Sequence, residues 1–195
     1  MRGSPLSRRQ LLAGSALLPT FVACTTTPPA RVFTLVSRPP ATPDPGRSPG
    51  TVIVKSVDLA KYLDRPQIVR YSDTYELQLS EFERWGEGMR DMVSRVLVEN
   101  LAMRLPHSQV LAGSASLTVP ADATVEVDIS RFDADPSGVV ILAARWAVER
   151  ETQKTRLQFD RISIPEPTTP TTLLVAAMSD ALGQLSDRIA LSLTA

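Results

Sequence analysis

Two stretches of this 195-residue chain repeat apolar residues at helical spacing, and each follows a run of strand-like sequence. In the first, Met89, Met92, Val93, Val96, Leu97, Leu101 and Leu105 recur every three or four positions. In the second, Leu174, Met178, Ala181, Leu182, Leu185 and Ile189 do the same. A helix with one apolar stripe must bury it against another element. The only large partner the rest of the chain offers is a sheet. The constraint dictates an α+β (mixed α/β) class: one mixed, mostly antiparallel sheet with two main helices packed on it.

The strands that would build this sheet can be read in order. "VFTLVS", residues 32 to 37, is β-branched and aromatic. "RPPATPDPGRSPG", 38 to 50, carries five prolines and two glycines, which forbid helix and central strand. "TVIVKSVDL", 51 to 59, is the next strand, with Val52 and Val54 facing one way and Ile53 and Lys55 the other. "QIVRY" and "YELQL" form a hairpin about residues 72 to 74, and Leu77 and Leu79 should face the core with Glu76 and Gln78 outward. Ser80 and Glu83 have the spacing of a capping box, although Gly86 and Gly88 weaken the first turns. The helix proper is expected from about Glu87 to Leu105, where Pro106 ends it.

"SQVLAGS", 108 to 114, is a short strand. "TVEVDISRF", 124 to 132, alternates Val125, Val127 and Ile129 inward against Glu126, Asp128 and Ser130 outward. "DPSG", 135 to 138, is a turn, and "VVILAARWAVER" and "TRLQFDRISI" complete a three-strand meander. Thr169 can cap the last helix with Pro170 at its first position. Strands followed by a helix thus occur twice, as an echo of architecture without a sequence repeat.

The chain begins differently. Arg2, Arg8 and Arg9 precede an apolar or small run from Leu11 to Ala23, with no acid before Asp44. That run is shorter than the roughly 20 residues a bilayer span needs. A basic start, a short apolar run and small residues before a boundary make a secretory signal peptide, residues 1 to 23. "FVAC" resembles the bacterial lipobox, in which the cysteine is acylated and becomes the new N-terminus; here that is Cys24, the only cysteine, with Phe21 where leucine is usual. The alternative for Cys24 is a buried core thiol, against which stands its place between an apolar run and "TTTPPAR". Arg8 and Arg9 in "SRRQLL" look like a twin-arginine export signal, and ordinary export explains them nearly as well. Residues 24 to 31 are then the lipidated cysteine and its tether, and 32 to 195 a single domain.

Charge narrows the function classes. The chain has 21 basic and 21 acidic side chains, and the leader removes three arginines and no acid, so the mature chain is near −3. No basic face of the kind that displaces counterions from nucleic acid is expected. Catalytic residues are scarce. His107 is the only histidine and lies beyond a helix end. Metal sites need clustered His, Cys or carboxylates, and no metal or cofactor is expected. Asp133 and Asp135 read as solvated acids at a hairpin tip, and "GEG" at 86 to 88 matches no phosphate loop. No nucleophile–base pair is visible, so a non-enzyme is expected.

The segment from Tyr62 to Leu105 carries a resemblance. "YLDRPQIV", a short hairpin, "EFERW" at 81 to 85 and "ENLA" at 99 to 102 occur in that order. Together they resemble the PqiC-like family of ABC-type transport auxiliary lipoproteins. The resemblance implies a periplasm-facing accessory lipoprotein that works with a membrane permease and an MCE-domain protein to move lipids and support envelope integrity. Thr25 follows Cys24, and by resemblance to lipoprotein sorting the absence of Asp there favours the outer membrane over the inner. Association with further copies of the chain is left open. For Tyr62, Asp64 and Arg65 the residues support two roles evenly, a structural turn or a partner contact. Arg65 could pair with Asp64 or Glu83. Trp85 and Pro66 read as structural. Two other functions compete: a periplasmic ligand-binding or hydrolytic lipoprotein, and a purely structural envelope lipoprotein.

Overall fold

The computed structural model describes residues 29–40, 49–113, 119–150, 153–165 and 169–195, the side chains of 153–156 excepted. Arg8, Arg9 and Cys24, and with them the signal peptide and most of the tether, lie outside the described residues. The elements run β1 (Arg31–Phe33), β2 (Thr51–Leu59), β3 (Gln67–Asp73), β4 (Glu76–Trp85), α1 (Met89–Arg104), β5 (Gln109–Ala112), β6 (Ala123–Ala134), β7 (Val140–Arg150), β8 (Gln153–Ile164) and α2 (Thr171–Thr194). They form one mixed eight-stranded sheet and two helices, the α+β architecture the helical stripes require.

β6 organises the sheet. One of its edges pairs in parallel with β2 from Ala123 to Ile129 and meets β3 at one position, Ala134 opposite Arg70. Its other edge pairs antiparallel with β7, and β7 with β8, which makes the meander. β5 lies parallel on the outer side of β2, and β1 parallel on the outer side of β4. Both helices pack on the same face, α1 against β2 and β5, α2 against β6, β7 and β8, and also against each other.

Two bulges keep apolar side chains on that face. In β2 the register slips between Val54 and Ser56, so Val52 and Val54 point inward before it and Val57 and Leu59 after it. In β6 it slips between Ile129 and Arg131, and the inward set passes from Val125, Val127 and Ile129 to Phe132 and Ala134. An extra residue exchanges the faces of a strand whose side chains alternate with period two. All seven residues of the first helical stripe and all six of the second are buried, as their spacing demands.

Four expectations change. The first strand stops at Phe33. From Thr34 to Arg38 the chain instead runs beside the helices, with Leu35 fully buried. Its amides are satisfied by helix side chains: Leu35 N–H by Met92 Sδ (3.2 Å), Val36 N–H by Ser179 Oγ (3.2 Å) and Arg38 N–H by Asn100 Oδ1 (2.7 Å). Ser80 and Glu83 do not cap a helix. Ser80 Oγ donates to Glu83 Oε2 at 3.3 Å, but within β4, and α1 starts at Met89 after Gly88. Leu77 and Leu79 are exposed, because no layer among the described residues covers the outer hairpin. In α2 the N-cap position belongs to Pro170, and no side chain caps the helix.

Candidate functional site

The segment "YLDRP" leaves the end of β2 and turns back toward β3. Ala60 N–H bonds Ile129 O (2.9 Å), Leu63 N–H bonds Ala60 O (2.9 Å), and Arg65 N–H bonds Leu63 O (2.9 Å). Pro66 sends β3 off in an extended direction, and its carbonyl receives Trp85 N–H at 2.8 Å. Leu63 and Trp85 enter the core, while Asp64 is exposed and Arg65 partly so.

Tyr62 turns its hydroxyl inward. It donates to Asp133 Oδ2 at 2.5 Å, and Arg131 Nε donates to Asp133 Oδ1 at 2.9 Å. The Arg131 guanidinium lies 4.8 Å from the centre of the Tyr71 ring, and Tyr71 meets Tyr62 edge-on at 6.5 Å. Four side chains from the turn, β3 and β6 are thus tied through one carboxylate. Asp133 is fully buried. Burial pushes its carboxyl above the ordinary range, against the hydrogen bonds of Tyr62 and Arg131, which pull it down. Burial, followed by the bond to Asp133, raises the Tyr62 phenol, which stays protonated as a donor. The paired turn acids are therefore not alike. Only Asp135 is a turn residue: its Oδ1 accepts from Ser137 N–H (2.9 Å), Ser137 Oγ (2.6 Å) and Val139 N–H (3.0 Å).

The base of the hairpin is held on the helix side. Glu83 is engaged by Arg31 at 3.2 Å, by the Thr171 hydroxyl at 2.6 Å and by Arg70 at 3.8 Å, and Arg70 also donates to Thr171 Oγ1 at 2.6 Å. Arg65 makes no ion pair with Glu83 or Asp64 within the described residues, and its Nε is buried without a hydrogen-bond partner. The YLDRP segment thus combines a braced tyrosine with an exposed acid and a partly exposed arginine.

Nothing in sequence spacing singled out Arg131 and Tyr71, or marked Asp133 as buried. Asp133 reads from the sequence as a solvated acid at a hairpin tip; in the structure it is covered by Tyr62, which arrives from 71 positions away. The helix-free face of the sheet has a shallow groove of about 220 Å³ lined by Asp58, Glu126, Asp128, Arg145, Ala147 and Leu157. Each of its carboxylates is already paired: Asp58 with Arg90 (2.5 Å), Glu126 with Lys55 (2.8 Å) and Asp128 with Arg145 (2.5 Å). His107 is exposed beyond α1. No cluster of three His, Cys, Asp or Glu with metal-holding geometry occurs among the described residues, and none of their helices is long and apolar enough to cross a membrane.

Residues 33–190 match the family described as the ABC-type transport auxiliary lipoprotein component. Two crystal structures share the fold. One, of an uncharacterized protein, is 17% identical with a TM-score of 0.71, over 85% of this chain and 99% of the other. The second, protein XCC0632 from Xanthomonas campestris, of the DUF330 family, is 19% identical with a TM-score of 0.65, over 82% and 92%. No curated protein matches the chain in sequence.

Proposed function

Because this chain belongs to the ABC-type transport auxiliary lipoprotein component family, we propose that it is the lipid-anchored accessory subunit of an MCE/ABC-type system that moves lipids between membranes and supports envelope integrity. Cys24 carries the acyl chains, residues 25–30 are the tether, Arg31 already belonging to β1, and the domain faces the periplasm from the outer membrane. Its partners are the MCE-domain protein and the membrane permease of the same system. Asp64 and Arg65 form the contact, and Tyr62 braces the turn that carries them. The observation that carries this reading is the fixed YLDRP turn: Asp64 and Arg65 are presented outward on a loop whose conformation Tyr62 locks through Asp133. A preorganised loop with an arginine anchor loses little entropy on binding.

The test is co-purification in detergent. Asp64→Ala combined with Arg65→Ala should keep the melting temperature and lose the MCE-domain protein. It should also reproduce the detergent sensitivity of a deletion strain. A double variant that keeps its partner and its envelope phenotype overturns the contact.

A further inference from the structure

Among the described residues, the outer part of the β3–β4 hairpin has no further strand beside it. β3 meets β6 at Arg70 alone, and β1 covers β4 only from Glu83 to Trp85. From Tyr71 to Leu79 the two strands pair with each other and with nothing else among the described residues. Tyr75 at the tip is 96% exposed, and Leu77 and Leu79, on the same side by strand alternation, are 37% and 41% exposed. A two-stranded ribbon is marginal in water, and an apolar arm of this kind belongs against another surface.

The direction of the chain indicates which surface. β1 is parallel to β4, with Arg31 opposite Glu83 and Val32 opposite Arg84. The chain therefore enters β1 from the side on which the hairpin projects. Seven residues, Cys24 to Ala30, precede β1, and the hairpin arm from Glu83 out to Glu76 advances by the same number. At strand rise the hairpin arm spans about 23 Å, and seven residues of chain can reach about as far. An anchor at Cys24 and the tip at Tyr75 can thus reach the same plane on the same side of the domain.

We propose that the tip of the β3–β4 hairpin rests in the headgroup region of the bilayer that holds the Cys24 acyl chains, with Tyr75 as its interfacial anchor and Leu77 behind it. The inference rests on the lipid anchor given above. Tyrosine suits this position because its ring is apolar and its hydroxyl stays wet. Asp73 and Glu76 flank Tyr75 and repel anionic headgroups, so the fit is to a leaflet rich in phosphatidylethanolamine. The contact orients the domain: β4 stands away from the membrane, and the YLDRP turn, on the other side of the hairpin base, is held clear of it.

The experiment places a Tyr75→Trp substitution in the full chain. The acylated protein is reconstituted into phosphatidylethanolamine vesicles with a minor share of phosphatidylglycerol, with or without brominated acyl chains. The native Trp85 and Trp146 are 8% and 4% exposed and set the background. The added emission should be blue-shifted, and brominated lipid should quench it several-fold more than the parent signal. Solvent-like, unquenched emission overturns the proposal, and so does a blue shift that needs an added protein partner. Intact mass separates the two readings. If Cys24 is unmodified, the anchor fails by itself. The sole thiol is then coupled to a maleimide-bearing phospholipid in the same vesicles, and the same quenching decides the tip contact.

Discussion

Asp133 is a carboxylate placed where water cannot reach it, and its cost is contained by two donors, Tyr62 and Arg131. Tyr62→Phe keeps the ring and removes the hydroxyl, leaving one buried oxygen unsatisfied. It should cost about 1–3 kcal/mol in urea unfolding, whereas Asp64→Ala, exposed two residues later, should stay within about 0.5 kcal/mol. Equal losses would mean that the hydroxyl does not brace the turn. A pH dependence follows as well. Burial raises the Asp133 carboxyl above its ordinary 3.8, so the folded chain holds this proton more readily than the unfolded one. The resulting stabilisation is complete below the ordinary value and is lost as pH rises through the raised one. The stability difference between the parent and Asp133→Asn should therefore grow in the parent's favour as pH falls toward about 4. A difference that is flat with pH would contradict the raised carboxyl.

At the scale of elements, α1 shows why one face decides a helix. Leu97 is fully buried in the middle of the stripe, and Glu99 lies off it, paired with Arg95 at 3.1 Å with 42% of its side chain exposed. Leu97→Ala should cost about 2–5 kcal/mol through lost burial and a cavity. Glu99→Ala should cost about 0.3–0.5 kcal/mol, the worth of an exposed pair one helical turn apart. Equal melting shifts would place the stripe wrongly. The two helices are also joined by a polar lock. Arg104, nearly buried, donates to Asp187 Oδ1 (2.7 Å) and Gly183 O (2.9 Å) on α2, and to Arg38 O (2.9 Å) on the segment beside them. An alanine at 183 would bring its Cβ to 3.1 Å from Arg38 Cβ, so glycine there permits the close approach.

At the scale of the whole molecule, the described core draws on nothing before Leu35 except Phe33 at its margin. The proposed anchor and the described fold are therefore separable. Cys24→Ala should release the protein from the membrane, or leave it unprocessed, with the melting temperature of the domain unchanged. Each buried acyl methylene contributes about 0.8 kcal/mol, so two or three chains hold a protein on a bilayer against any dilution met in fractionation. Intact mass and membrane fractionation check it: an unmodified thiol in the parent, or a variant that still sediments with membranes, would remove the anchor.

The sequence by itself determined whatever depends on local period. The two helical stripes, the strand at 51 to 59, the meander and the turn at 135 to 138 follow from spacings of 3.6 and 2 and from turn chemistry, all of which act between residues a few positions apart. Tertiary structure decided whatever depends on what lies opposite. Leu77 and Leu79 alternate like core residues, yet are exposed because no layer among the described residues covers that end of the hairpin. Ser80 and Glu83 have capping-box spacing, yet Glu83 is taken by Arg31, Arg70 and Thr171, partners up to 88 positions away. Asp133 looks like a turn acid and is buried, since the bulge after Ile129 puts it on the face opposite Phe132 and there Tyr62 closes over the carboxylate. Period is written in neighbours; burial is set by the side chains that long-range pairing brings together.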